Sequence, residues 1–366
     1  MEKNKDTLEN DLVSALASGD GPDLIISPQS LIVQNYDKIL PITYDLYSSR
    51  TFSDTFIEGA SQYMARIGIL GMPLYADPLI MFWNKDIFST AGVASFPKKW
   101  GEVSNLTDKL TISDRGGNIS QAAIALGVYN NLEHAKEILS ALFMQAGDGI
   151  ISFDNPDEAA SSNTRVPIKV VFGHSNVESA VRFFIDFSNS AKKSYSWNVS
   201  MPNSKAAFSG GSLAMYLGLA SDYGSIRRSN PHLNFDVGVL PQRDVEKNRV
   251  TYADIYAISV TRGTRNAAAA KEIAIAMATT NFAKLVSSAI NLPPARRDLL
   301  SIGTSDLVAS IFYSSAIMSR SWLDPMPIES SAIFQEMIES ILSGVKQPRD
   351  AIDASAQKLN NLIQKN

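Results

Sequence analysis

Aromatic, carboxylate and amide side chains follow many of the short apolar runs that the 366-residue sequence predicts to be strands. Open α/β sheets bind ligands beyond the carboxyl ends of their strands, so these side chains are candidates for one common site. Tyrosine and tryptophan offer a flat apolar body with a polar tip, while Asp and Asn supply acceptors and donors. Such a set suits a neutral polyol, and its members are Ser27, Tyr75, Asp77, Tyr129, Asn130, Trp197, Gly218, Asp222, Tyr223, Tyr252, Asp254 and Trp322.

Other interpretations of these residues remain open. Arg227 and Arg228 lie five and six residues after Asp222, so an anionic ligand is an alternative. Tyr252 would also fit a position stacked on the back of a sheet, and Asp254 a turn cap. Trp197 and Trp322 lie in loop-like stretches, whereas the apolar patterns around two further tryptophans predict core positions for Trp83 and Trp100.

Residue types that commonly perform catalysis are scarce in this chain. It has no cysteine, which removes thiolate nucleophiles and every cysteine-based metal site. The histidines are His134, His174 and His232, too far apart for a helix-borne zinc pair, and we expect them at the surface. The segment Ser209-Gly-Gly-Ser212 lacks the lysine of a phosphate-binding loop. The sequence therefore predicts no catalytic residue, no metal site and no cofactor.

An α/β enzyme that acts on carbohydrate is the alternative class of function. It would need a positioned acid–base pair, and the carboxylate pairs Asp77/Asp86 and Asp222/Asp254 have no spacing that singles them out.

A third interpretation is a protein with a degenerate cleft that only contacts partners. The net charge of −4 argues against a nucleic-acid partner.

Short strands alternate with amphipathic helices along the whole chain. A helix is predicted over 6–18 with Gly19 as its stop, and others over 53–64 and 267–290, the last capped by Asn266. Apolar runs predict strands at 24–26, 69–75, 79–83, 122–126, 213–217, 235–240 and 252–260. This alternation predicts an α/β protein with a parallel or mixed sheet covered by helices.

Residues 68–110 carry a resemblance to a known family. The run from Gly68 to Phe88 contains Phe-Trp-Asn-Lys-Asp, followed by Ala91-Gly92-Val93 and Pro97-Lys-Lys-Trp100. It resembles the family 1 extracellular solute-binding proteins, the maltose-binding-like receptors of ABC importers, although Trp83 replaces their usual tyrosine. Further matches follow in the family's order, at 16–26, 125–127, 145–147, 207–215 and 239–241.

The resemblance implies a two-lobed, periplasmic-binding-protein-like (class II) fold, in which each lobe is a mixed sheet flanked by helices. Crossing strands join the lobes, which close by hinge rotation on a ligand in the cleft. Lobe I is expected at 1–78 plus 256–312, lobe II at 84–250 plus 317–366, and the hinge near 79–83, 251–255 and 313–316. The implied function is an extracytoplasmic, monomeric receptor that delivers a sugar or related polar solute to the membrane subunits of an ABC importer.

One departure from the family lies at the N-terminus. The family opens with an apolar strand and a helix before the segment that corresponds to Asp6–Gly19, and that strand pairs with the one at Leu24–Ile26. This chain shows neither the strand nor the apolar region of an export signal. We expect one truncation to explain the missing strand and the missing export signal. The protein is then expected to be periplasmic or extracellular, and its precursor to carry an export signal, with or without a lipid anchor.

Overall fold

The computed structural model describes residues 7–147, 149–153, 168–172, 175–243, 249–324 and 326–365. The helices in these ranges are α1 (Leu8–Ser18), α2 (Gln29–Gln34), α3 (Ser49–Thr55), α4 (Lys85–Thr90), α5 (Trp100–Leu110), α6 (Ala135–Gln145), α7 (Ser175–Asp186), α8 (Ser204–Ser209), α9 (Asp222–Ser229), α10 (Ala267–Met277), α11 (Thr280–Ile290), α12 (Arg297–Ile302), α13 (Leu307–Ile317), α14 (Pro327–Leu342) and α15 (Pro348–Lys365). The strands are β1 (Leu24–Pro28), β2 (Met64–Ala65), β3 (Gly68–Ile69), β4 (Met72–Asn84), β5 (Ile112–Ser113), β6 (Ile119–Ile124), β7 (Ile151–Phe153), β8 (Ile168–Val170), β9 (Leu213–Leu219), β10 (Phe235–Val239), β11 (Thr251–Val260) and β12 (Ser319–Arg320).

Eight of the described strands form one continuous sheet, in the order β1-β11-β4-β9-β6-β5, with β10 beside β4 and β12 beside β11. The pairs β6–β9 and β11–β12 are parallel, and the other pairs in this sheet are antiparallel. The predicted mixed sheet flanked by helices is therefore confirmed. β1 ends the sheet, because no strand of the described residues pairs with its second edge, and Ile26 on it is 42% exposed.

Strand β4 changes partners halfway along its length. It pairs with β11 from Met72 to Pro78, and from Leu79 onward it pairs with β9 and β10. At the change, the backbone N–H of Ala220 donates to the carbonyl of Pro78 at 2.9 Å. The sequence predicted two separate strands, over 69–75 and 79–83, whereas β4 is one strand of 13 residues. Its apolar residues are covered on both faces, as expected for a central strand.

The buried hydrophobic residues form two separate cores. The first core consists of buried residues between Leu12 and Ala76 and of further ones from Ala253 onward. The second core consists of buried residues between Leu79 and Tyr252. Both β4 and β11 therefore pass from one core to the other within a single strand. Beyond Ala253 the first core takes residues up to Ala316, and the second takes Phe312 and residues from Trp322 to Leu359.

Two predicted helices differ in the structure. The predicted helix over 267–290 is broken into α10 and α11, which meet at an angle of 69°. Its predicted cap is confirmed, because Asn266 Oδ1 accepts a hydrogen bond from Ala269 N at 3.2 Å. The helix expected over 53–64 begins earlier, at Ser49, where Ser48 Oγ accepts from Thr51 N at 3.0 Å, and it is followed by a separate 3-10 turn.

Helix α1 agrees with the sequence prediction, apart from Asp6, which lies outside the described residues. Gly19 has a φ of 78°, the left-handed conformation that makes glycine the preferred residue after a helix end. No single helix in the described ranges is both long and apolar enough to cross a membrane, although α10 and α11 together pass that test of length and composition.

Candidate functional site

Two matched pairs of side chains lie on β4 and β11 where these strands pass between the cores. Asp77 is directly opposite Asp254, and Tyr75 is directly opposite Tyr256. The two tyrosine rings stack with centroids 4.6 Å apart and an interplanar angle of 11°. Because residues two positions apart share a sheet face, the aromatic pair adjoins the carboxylate pair. We call these four residues the crossing-strand face.

The Asp77 carboxyl joins this face to the second core. Its Oδ1 accepts a hydrogen bond from Ser221 N, just beyond the end of β9, at 2.9 Å. Only 4% of Asp77 is exposed, and burial raises the pKa of its carboxyl to about 6. The hydrogen bonds from Ser221 oppose this rise, and the nearby Asp254 and Asp222 add to it. Asp77 can therefore exist in both protonation states near neutral pH.

The Asp254 carboxyl is held by one side chain on its own strand and by one from a distant part of the chain. Its Oδ1 accepts from the Tyr252 hydroxyl at 2.8 Å and from Gln29 Nε2 at 3.3 Å. Tyr252 is buried in the second core, and burial raises the pKa of its hydroxyl well above the usual value. Sequence reasoning missed Gln29, although it follows the predicted strand that ends at Ile26 by only three residues.

A third carboxylate, Asp222, lies at the N-terminus of α9 and accepts hydrogen bonds from three side chains. His134 Nε2 is 2.9 Å away, Lys205 Nζ 2.5 Å and the Tyr216 hydroxyl 2.7 Å. Burial alone would raise the pKa of Asp222, but the hydrogen bonds from these three side chains and the charge of His134 lower it to about 2. This carboxylate therefore stays ionised throughout the physiological pH range.

The expected surface position of His134 is wrong. Its side chain is only 17% exposed because it lies against Asp222. Burial would lower the pKa of the imidazole, but the hydrogen bond and charge of Asp222 outweigh that effect and raise the pKa. His232 donates its backbone N–H to Asn230 Oδ1 at 3.2 Å, and His174 lies outside the described residues.

Gly218 leaves room for the Asp222 cluster. A Cβ atom at this position would lie 2.6 Å from Asp222 Oδ2 and would also overlap the ring of Tyr216. Tyr223, one residue beyond Asp222, is half-buried, and its ring lies 5.4 Å from that of Phe235. Gly218 therefore shapes this part of the second core.

The remaining predicted site residues lie in other surroundings. Ser27 is fully buried, and its hydroxyl has no hydrogen-bond partner within the described part of the chain. The Tyr129 hydroxyl is 2.7 Å from Ser331 Oγ, and the exposed Asn130 donates to Glu339 at 2.6 Å. These contacts do not reach the crossing-strand face, so a ligand contact for Ser27, Tyr129 and Asn130 stays a prediction.

The four tryptophans are buried to different degrees in the second core. Trp197 is fully buried and donates to Asn131 Oδ1 at 2.8 Å, and Trp322 is 5% exposed with its ring near Phe334. Trp100 is 7% exposed in that core, as the sequence predicted, whereas Trp83 is only partly buried against it. The ligand contacts predicted for Trp197 and Trp322 stay predictions, and packing alone accounts for the position of Trp197.

No group of three or more His, Cys, Asp or Glu residues within the described ranges has a geometry that could hold a metal ion. The crossing-strand face instead combines an aromatic surface with carboxyl groups that accept hydrogen bonds. Flat apolar rings beside such acceptors can contact the C–H faces of a polyol and bind its hydroxyl groups.

Comparison with known proteins identifies the family. The profile of the bacterial extracellular solute-binding proteins matches residues 1–309, and the chain belongs to that family. A comparison with curated proteins gave no match. Solved structures with the same fold are two-lobed solute-binding proteins, so the predicted two-lobed α/β fold is confirmed.

Three of these structures illustrate the similarity. The cyclic alpha-maltosyl-1,6-maltose binding protein from Arthrobacter globiformis has a TM-score of 0.79 and 16% identity, with 100% of this chain and 90% of that chain covered. The sugar-binding protein MalE from Xanthomonas citri has a TM-score of 0.74 and 16% identity, covering 100% and 89%. An ABC transporter solute-binding protein from Thermotoga lettingae, bound with alpha-D-tagatose, has a TM-score of 0.70 and 19% identity, covering 98% and 90%.

Proposed function

We propose that this protein is the extracytoplasmic receptor of an ABC importer and that it binds a sugar between its two lobes. The crossing-strand face is the observation that carries the proposal, because it places stacked tyrosines beside two carboxyls where both strands pass between the cores. The names of the similar structures support this ligand class. One of these structures is a cyclo/maltodextrin-binding protein complexed with maltotetraose, and another is a protein with mannobiose bound.

Lobe boundaries at 1–78 plus 256–312 and at 84–250 plus 317–366 are part of this proposal. The change of core between Ala76 and Leu79 on β4, and between Tyr252 and Ala253 on β11, supports hinge segments near 79–83 and 251–255. The third segment, near 313–316, lies in α13, whose Phe312 packs in the second core and Ala316 in the first. Helix α13 thus contacts both cores.

The site that we propose is centred on Tyr75, Asp77, Tyr252 and Asp254. The other predicted residues form its outer part in this proposal, namely Ser27, Tyr129, Asn130, Trp197, Gly218, Asp222, Tyr223 and Trp322. The receptor acts as a monomer in the periplasm or outside the cell, needs no resident cofactor, and passes its solute to the membrane subunits of the importer.

Thermal unfolding with a panel of solutes tests this function. Maltose, maltotriose, mannobiose and tagatose are compared with spermidine and free amino acids at equal concentration. A bound ligand at 100 times its dissociation constant should stabilise the folded protein by about 2.7 kcal/mol. The variant Tyr75→Ala should lose this stabilisation, while the control Asn203→Ala, at an exposed N-cap of α8, should keep it.

Two results would count against the proposal. If amino acids or polyamines stabilised the protein and no sugar did, the ligand would not be a sugar. Release of shorter glycans during incubation, detected by chromatography, would support the carbohydrate-active enzyme instead. Recovery of the intact sugar from the complex is the result that we expect.

A further inference from the structure

Gln29 continues the sheet with its side chain at the point where β1 ends. Strand β1 pairs with β11 from Leu24 opposite Val260 to Pro28 opposite Tyr256. The next residue along would face Ile255, but there the chain turns into α2. Gln29 Oε1 instead accepts the hydrogen bond of Ile255 N, at 2.6 Å. The side-chain amide thus takes the position of a further peptide group in the ladder.

The Nε2 group of the Gln29 amide contacts the segment after β12, which is a second connection between the cores. Gln29 Nε2 donates to Ser321 Oγ at 2.9 Å, besides its contact with the Asp254 carboxylate. Ser321 directly follows β12, which pairs with β11 at Thr251 and Tyr252. Gln29 is only 2% exposed, so water does not compete strongly for these bonds. One side chain therefore links the end of β1 to β11 and to the segment after β12.

We propose that Gln29 is a positioning residue of the solute site, which orients the Asp254 carboxylate and restricts the relative orientation of the two lobes. This inference rests on the proposed solute-binding function. The bond to Ile255 N fixes the amide plane, and the opposite edge of that plane then directs its N–H groups at Asp254 and Ser321. Loss of the amide frees the segment after β12 from the edge of the first lobe.

Gln62 provides a matched control. It is also a buried glutamine of the first core region, 9% exposed, but its Nε2 donates at 2.7 Å to Gly59 O within its own 3-10 turn. Replacing it removes a buried amide of the same size whose hydrogen bond stays within its own turn and does not reach the segment after β12. A difference between the two variants is therefore specific to the contacts of Gln29.

The test measures the distance between the lobes by pulsed electron paramagnetic resonance without any ligand. The chain has no cysteine, so spin labels can be placed at Asp37→Cys and Val199→Cys, exposed positions beside the first and the second core. We expect Gln29→Ala to broaden the distance distribution at least twofold, and Gln62→Ala to leave it unchanged. A Gln29→Ala distribution equal to that of the parent would overturn the inference.

Two further variants decide the matter if Gln29→Ala does not fold. Ser321→Ala removes only the acceptor after β12, and Gln29→Glu keeps the acceptor for Ile255 N but loses both donors. Both should broaden the distribution, and an unchanged width in both would overturn the inference.

For a sugar that stabilises the parent, calorimetry should show at least tenfold weaker binding by Gln29→Glu, and unchanged affinity would refute the effect on Asp254. If no sugar binds the parent, the proposed function fails, while the ligand-free distances still decide the role of Gln29.

Discussion

Replacing Asp222 by alanine should lower the free energy of unfolding by about 3–5 kcal/mol, the range expected when one partner of a buried ionic cluster is removed. The Asp222 side chain is 8% exposed and accepts from His134, Lys205 and Tyr216. Without it, Tyr216 in the second core and the partly buried His134 and Lys205 beside it lose their acceptor. Urea denaturation at pH 7 measures the change.

An exposed carboxylate provides the control for this prediction. Asp298 is 45% exposed and pairs with Arg296 at 2.9 Å, so Asp298→Ala should cost less than about 1 kcal/mol. Asp222→Asn keeps one acceptor oxygen and should fall between the two. If Asp222→Ala lost no more stability than Asp298→Ala, the cluster would not stabilise the second core.

Asp77 should make the protein more stable as the pH falls from 7 towards 4. Its carboxyl has a pKa of about 6 in the folded protein, against a reference value of 3.8. The folded state therefore binds the proton more tightly than the unfolded state, and stability increases on protonation through this pH window. A shift of about two units corresponds to about 3 kcal/mol.

The variant Asp77→Asn imitates the protonated carboxyl and should remove this contribution. At pH 7.5 it should be more stable than the parent, and the difference should shrink at pH 5. Denaturation of both proteins at the two pH values isolates the effect, because the other titrating groups are common to both. Parallel pH profiles would show that Asp77 keeps an ordinary pKa.

Local patterns in the sequence predicted much of the fold, because they depend on neighbours along the chain. The helix stop at Gly19 and the cap at Asn266 follow from backbone conformation and side-chain chemistry within one turn. The family resemblance supplied the two-lobed arrangement, which periodicity alone did not give. The break between α10 and α11 was missed because α10 is alanine-rich and no glycine or proline interrupts the sequence from Ala267 to Ile290, which favours a continuous helix.

The site was only partly predictable, because its contacts join residues far apart in the sequence. Asp77 and Asp254 were identified as candidates, but their direct opposition depends on the register of β4 with β11. Nothing near Gln29 or His134 in the sequence reveals their partners, which lie 225 and 88 residues away. Their roles follow only from the tertiary structure.

The position of β11 between β1 and β4 also has a consequence for the order of folding. These two strands are made early, yet they do not pair with each other, because β11 separates them in the sheet. Until β11 has been synthesised, β4 lacks its partner from Met72 to Pro78, and β1 lacks its whole ladder. Pairing over such sequence separations is slow, and the open strand edges expose the nascent chain to misassembly. Completion of the first core must therefore be a late event in folding.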